Sequence, residues 1–330
     1  MASAQQLRSS PTAGEPFVPA GSAAAPPVCP LCGAADTQTA FSDNGRELRA
    51  CRVCELFFVH PYPASDRQYE RVASGDYNEI DLLDCERRYQ GERLYYERHF
   101  PLIAEESRCA TSLLDVGCGT GHLLERFAAN RAMHRVGIEL NPQAAQFARS
   151  ISGCNVLEVP FEHFHAERAF DVITMINVFS HLPSFDGTFR ALRAALAPGG
   201  KVLLRTSEMS RRVNRWNQLH WGIPDDLHFL GLGTLEFLCA KYGFTVTRHI
   251  RTPFEEELFR RSRWRQMGRN PGLNLVKRAA LRAPGALPTL QKLYTATLGQ
   301  RLFVSFIVLE PIARPSQAPP AVPERRRGRI

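Results

Sequence analysis

The stretch "LLDVGCGTGHLLERF", residues 113–127, decides the fold. A short apolar run ends at Asp115, three glycines follow within five positions (Gly117, Gly119 and Gly121), and an amphipathic stretch then begins. Strand, glycine loop, helix is the order in which a helix N-terminus meets a ligand beneath bare backbone. Gly117 lets the chain turn off the strand, and Gly119 and Gly121 remove Cβ atoms so that a ligand can approach the backbone. Nicotinamide enzymes also carry a glycine loop, but with the spacing G-x-G-x-x-G. Here the third glycine comes one residue early. Asp115, at the carboxyl end of its strand, would face the crevice where open α/β sheets bind ligands. A cation suits that carboxylate better than a pyrophosphate does. Glu139 closes the next strand in "VGIEL", about 20 positions on, where an acid commonly takes ribose hydroxyls. That position alone suits NAD and other adenosine ligands equally.

Outward from this loop, apolar runs alternate with helical patterns. Strands are predicted at 111–116, 135–139, 154–159, 171–176, 201–206, 244–250 and 302–309. Helices are predicted at 121–130, 141–150, 186–196 and 233–242. Alternation of this kind predicts an α/β fold: a seven-stranded, mostly parallel, Rossmann-like sheet with helices on both faces. The last strand follows a long insertion and has no helix after it, so it is expected to pair antiparallel at or near an edge. Upstream, Ser65 is placed to cap a helix from about Asp66, and residues 74–106 read as one or two amphipathic helices.

The nine cysteines include "CPLC" at Cys29–Cys32 and "CRVC" at Cys51–Cys54. Two residues between cysteines let a tight turn aim both thiolates at one ion, and two such knuckles supply the closed tetrahedral shell of structural zinc. No open coordination position remains, so the metal staples rather than catalyses. The expected domains are a disordered lead (1–27), a zinc ribbon (28–60), a helical linker or lid (61–108), a catalytic domain (109–312) and a disordered basic tail (313–330). The Ala/Pro/Ser/Gly lead lacks the order of a secretory signal, and no run of about 18 apolar residues exists, so a cytoplasmic protein is expected. Residues 251–330 hold sixteen Lys or Arg against five Glu, a local +11 that leaves −3 for the remainder. Such asymmetry suits an anionic partner or a solvated basic face.

Taken in order, the blocks resemble the class I S-adenosylmethionine-dependent methyltransferases: "LLDVGCGTG", "VGIEL", "FDVITMINVFSHLPS" and "LRAALAPGGKVLLRT". "DDLHFLGLGTLEFLCAKYGF", together with "CPLCG", "CRVCE" and "FFVHPYP", is similar to a branch carrying an N-terminal zinc ribbon, with Glu55 where a glycine is usual. The resemblance implies that Asp115, Gly117, Gly119 and Gly121 cradle the methionine part of the cofactor. It further implies that Glu139 holds the ribose, Leu140 lies against the adenine, Phe161 and Glu162 lie near the adenine edge, and Asn177 lies beside the cofactor. His181 falls where the branch often has Glu-His, with Ser180 in the place of that acid.

The reaction so implied is displacement at a sulfonium methyl by a small-molecule acceptor: a sugar, a polyketide or another secondary metabolite. O- or C-methylation is favoured over N-methylation. A hydroxyl or carbon acid needs a base near neutral pH, for which His181, His220 and His228 are the candidates. Ribosomal RNA methylation, with the ribbon as recognition module, and a non-catalytic cofactor-binding scaffold are the alternatives. The basic insert 252–300, broken at Pro271 and Pro284, could meet a membrane surface, cover the acceptor cleft or fold onto the sheet.

Overall fold

The computed structural model describes residues 27–43, 46–75, 84–209, 226–253, 282–298 and 302–312. Residues 1–26 of the predicted lead, the predicted tail, His220 and most of the basic insert lie outside these residues. Three short strands, β1 (Thr37–Asp43), β2 (Arg46–Cys51) and β3 (Phe57–His60), form an antiparallel ribbon. Helices α1 (Ser65–Ser74) and α2 (Cys85–Glu106) follow. Ser65 is the first residue of α1 rather than its cap; Ala64 holds the N-cap position without a side-chain bond.

The main sheet is built from β4 (Ser112–Val116), β5 (His134–Ile138), β6 (Asn155–Leu157), β7 (Phe170–Ile176) and β8 (Leu196–Met209), completed by β10 (Phe244–Pro253) and β11 (Leu302–Pro311). Its order is β10-β11-β8-β7-β4-β5-β6. Strand β11 lies one place in from the edge and is antiparallel to both neighbours; the other described pairings are parallel. The interleaved helices are α3 (His122–Arg126), α4 (Pro142–Ser152), α5 (Phe185–Ala195) and α6 (Thr234–Tyr242). The predicted seven strands and four helices all form. β8 is longer than its pattern indicated at both ends, and β10 runs through Pro253, so the first two residues of the presumed insert belong to the sheet.

Burial on both faces explains why these strands read as continuous apolar runs. Successive residues enter different cores: Leu114, Ile173, Leu204 and Ile307 pack with Phe185, Phe189 and Leu192 of α5. Leu113, Val172, Leu203 and Val308 pack with Ile103 of α2, Leu123 of α3 and Ala148 of α4. Asn141 caps α4 by accepting the Ala144 N–H at 2.9 Å, and Pro142 fills the first helical position. Gly121 must be glycine: its φ is +81°, and a Cβ there would lie 2.8 Å from the Cβ of Ala148, locking α3 to α4.

The ribbon is not free-standing. A strand that the sequence reading missed, β9 (His228–Phe229), pairs with β3 and completes a four-stranded sheet, β1-β2-β3-β9. Two residues carry too little periodicity to be read as a strand. Glu55 adopts φ +61°, a conformation that explains the glycine usual at this place, and its Oε2 accepts the Gly233 N–H at 2.8 Å. The hydroxyl of Thr234 donates to the Cys54 carbonyl at 2.9 Å, and Lys241 Nζ donates to the Leu31 carbonyl at 2.7 Å. A Cβ on Gly231 would come 1.9 Å from the Glu55 carbonyl oxygen. Gly231→Ala is therefore expected to cost about 1–3 kcal/mol through overpacking, read as a lower urea midpoint. Helix α7 (Ala286–Leu298) precedes β11 and buries Leu287; among the described residues no helix is long and apolar enough to cross a membrane.

Candidate active site

A cavity of about 390 Å³ opens at the carboxyl ends of β4, β5 and β7, within the range of small-ligand sites. Six residues singled out in the sequence line it: Gly117, Glu139, Leu140, Phe161, Asn177 and His181. Tyr69 and Val72 of α1 and Arg88, Gly91, Glu92 and Tyr96 of α2 close it from the other side. The upstream helices thus contribute a wall of the cavity.

Glu139 is buried and already engaged. Its Oε2 accepts the Gly119 N–H at 2.9 Å, its Oε1 accepts the Asn141 N–H at 2.9 Å, and Arg88 Nη2 stands 3.8 Å from Oε2. Gly119 has φ +57°, and a Cβ there would fall 2.5 Å from Glu92 Oε1 and 2.8 Å from Arg88 Nη2. The bare backbone therefore makes room for α2 as well as for a ligand. Glu92 Oε2 accepts from the Thr120 backbone N–H at 3.3 Å, and Arg88 and Glu92 pair at 2.9 Å. Burial raises the Glu92 carboxyl above its ordinary pKa. Sequence reasoning missed Arg88 and Glu92. Their i,i+4 spacing signals only a helix pair, and nothing local says that the helix lands on the glycine loop.

Asp115 lies beneath the loop, 1% exposed. Its Oδ1 accepts the Thr174 hydroxyl at 2.7 Å, and its Oδ2 is buried without a partner among the described residues. Burial pushes this carboxyl up to about 7; Glu92 and Glu139 add to the effect and the Thr174 bond opposes it. A half-satisfied buried carboxylate is costly unless something positive arrives. An amino acid's ammonium group, an adenosine's ribose at Glu139 and an apolar slot at Leu140 and Phe161 together match the features of S-adenosylmethionine. Asn177 holds φ +58°; its N–H donates to the Arg205 carbonyl at 3.0 Å, and its Oδ1 accepts from the Arg205 guanidinium, which fixes the turn after β7.

Other predicted residues stand elsewhere. Asp115, Gly119, Gly121 and Glu162 are not among the lining residues. Glu162 instead accepts hydrogen bonds from the hydroxyls of Tyr69 and Thr188, tying α1 to α5. His181 lines the cavity, and its Nδ1 lies 3.6 Å from Asp226 Oδ1. His228, in β9, is 1% exposed, with Nδ1 3.2 Å from the Tyr62 hydroxyl. Its ring packs 4.4 Å from that of Phe185. Burial, assisted by His181, pushes the His228 imidazole down to about 3.

The four predicted cysteines converge in the ribbon. Cys29 and Cys54 place their sulfurs 3.5 Å apart, as do Cys32 and Cys51, and all four sulfurs lie within 4.8 Å of one another. Tetrahedral zinc with bonds near 2.3 Å separates its sulfurs by about 3.8 Å, so the donor set and spacing fit that ion.

Residues 87–249 match a family model described as a methyltransferase domain. The chain is 32% identical over 170 residues to a ubiquinone biosynthesis O-methyltransferase of Nitrosococcus oceani, covering 47% of this chain and 70% of that one. It is 31% identical over 111 residues to the enzyme of the same name from Idiomarina loihiensis, covering 32% of this chain and 44% of that one. It is also 30% identical over 141 residues to a tRNA U34 carboxymethyltransferase of Saccharophagus degradans, covering 40% of this chain and 42% of that one. The chain spans less than half the length of the first curated relatives it matches. Fold, cavity and relatives together define a methyltransferase domain. The chain belongs to the class I S-adenosylmethionine-dependent methyltransferases.

Proposed function

We propose that this chain moves a methyl group from S-adenosylmethionine to a small-molecule acceptor, a sugar, polyketide or related metabolite, by O- or C-methylation. When bound, the cofactor supplies a methyl already activated on a sulfonium, so the protein mainly aligns two reactants. Glu139 would take the ribose hydroxyls, Leu140 and Phe161 the adenine, and Asp115 with the glycine loop the amino-acid end. Arg88 is the cation on the same wall for a carboxylate. The observation that carries the reading is one cavity bordered by Glu139, by the loop over Asp115, whose Oδ2 has no partner among the described residues, and by His181.

A small acceptor is favoured over RNA because the ribbon is docked rather than projecting. It shares β9 with the main domain, and its own core, Leu31, Leu56 and Phe58, is continuous with that of α5. The excess of basic residues in 251–330 and the tRNA-modifying relative favour the second reading, RNA methylation. Incubating the chain with methyl-labelled cofactor and, in parallel, a metabolite extract and ribosomal RNA separates the two. Label in a small molecule supports the proposal, label in RNA replaces it, and label in neither leaves a cofactor-binding scaffold.

The ribbon is proposed to hold one structural Zn²⁺ through Cys29, Cys32, Cys51 and Cys54. Elemental analysis of the purified chain is expected to give one zinc per chain, falling to none in Cys51→Ser. Retention of zinc by that variant would remove the assignment.

A further inference from the structure

We infer that Asp226 is the positioning residue that orients His181 as proton acceptor, and that the methyl acceptor is consequently a hydroxyl or carbon acid rather than a free amine. This rests on the methyl-transfer reading above. The pair is assembled from distant sequence: His181 follows β7 in a short turn, and Asp226 precedes β9. Between them runs a backbone staple, with the Leu227 N–H donating to the Ser180 carbonyl at 2.8 Å. Because the stapled residues are the immediate neighbours of Asp226 and His181, the bond fixes both side chains side by side. His181 Nδ1 lies 3.6 Å from Asp226 Oδ1, with the two side chains only 25% and 17% exposed. On the far side, Gln68 of α1, fully buried, directs its Nε2 at the His181 carbonyl at 3.5 Å.

Once it closes from the 3.6 Å seen here to hydrogen-bond distance, a carboxylate at Nδ1 selects the tautomer with the proton on that nitrogen and leaves Nε2 as the basic one. The proton balance follows. The acceptor's O–H or C–H bond breaks, its electron pair forms the new bond to the methyl carbon, and the proton goes to His181 Nε2. The imidazole thereby gains the positive charge that the sulfonium gives up on becoming a thioether. His228 does not fit the same role: it is buried among Phe179, Phe185 and Tyr62, a setting that disfavours a charged ring. It serves as a neutral post between ribbon and domain.

Two measurements test the pair. In the native chain with histidine-selective ¹⁵N labelling, the long-range imidazole spectrum is expected to show His181, assigned by its loss in His181→Gln, with the proton on Nδ1. In Asp226→Ala it is expected to shift toward the Nε2–H form. With the small-molecule fraction that accepts label, His181→Gln is expected to lose about 10²–10³-fold in kcat. Asp226→Asn is expected to lose about tenfold or more in kcat, with Asp226→Glu recovering part of the rate. Binding of S-adenosylhomocysteine to Asp226→Asn, by calorimetry, is expected to stay within about twofold of native, which shows that the variant is folded. An unchanged tautomer in Asp226→Ala, or an unchanged kcat in Asp226→Asn, overturns the pair while leaving methyl transfer standing. Absence of any labelled product from the native chain overturns both.

Discussion

Stripping the zinc proposed for the ribbon, or replacing Cys54 by Ser, is expected to damage the whole chain rather than its first sixty residues. Structural zinc bound by cysteine knuckles contributes on the order of 10 kcal/mol of folding free energy at neutral pH. Here that energy is connected to the catalytic domain at several points. The carbonyl of Cys54 accepts from Thr234, the first residue of α6; Glu55 takes the N–H just before it; and Lys241 at the far end of α6 holds the Leu31 carbonyl. Strand β3 pairs Phe58 with His228, so the ribbon also sets the neighbour of Asp226 and His181. Calorimetric melting of the chelated protein should therefore show one transition at a markedly lower temperature, with hydrogen exchange accelerated in β9 and α6 as well as in β1–β3. A separate low-temperature transition for residues 27–60, with β9 still protected and cofactor affinity intact, would show an independent module instead.

How much of this was legible beforehand follows from how far apart the interacting residues stand in the chain. The strand–glycine loop–helix order around Gly117 and the alternation that follows are local patterns, and the sheet formed as they predicted, with β11 antiparallel beside β8. The cysteine knuckles are two local pairs whose spacing is informative, and all four sulfurs meet. Glu139, Leu140, Phe161 and Asn177 reach the cavity because each ends or follows a parallel strand, where such sheets bind ligands. Glu162 does not reach it, because the 3₁₀ turn that brings in Phe161 aims the next side chain at Tyr69 and Thr188. Arg88, Glu92, Asp226 and Gln68 carried no signal. They matter only through where α1, α2 and β9 dock, and docking is decided by tertiary packing rather than by local periodicity.

The cofactor site should itself be pH-sensitive in a direction fixed by Asp115. Its carboxyl sits at about 7 in the free chain against an ordinary 3.8, because burial disfavours the charged form. The sign follows from proton counting. Between about pH 4 and pH 7 the folded chain holds a proton that the unfolded chain has lost, so the free protein loses stability as pH rises, by up to about 4 kcal/mol in all. A bound cation favours the ionised carboxylate and recovers part of that loss. Affinity for S-adenosylhomocysteine should therefore increase from pH 5.5 toward pH 7, by up to about tenfold per unit, as binding ceases to require expulsion of the proton. Above about pH 8 the ligand's own ammonium begins to titrate and affinity should turn down again. Asp115→Asn keeps the Thr174 partner but removes the charge, and should lower affinity about 10- to 100-fold at pH 7 while flattening the acidic side of the profile. The ligand-induced rise in melting temperature should likewise be larger at pH 7 than at pH 5.5 in the native chain and nearly equal at the two in the variant. Affinity that stays level from pH 5.5 to 7 in the native chain would mean that no cation approaches this carboxylate, and the assignment of the amino-acid end to the glycine loop over Asp115 would fall.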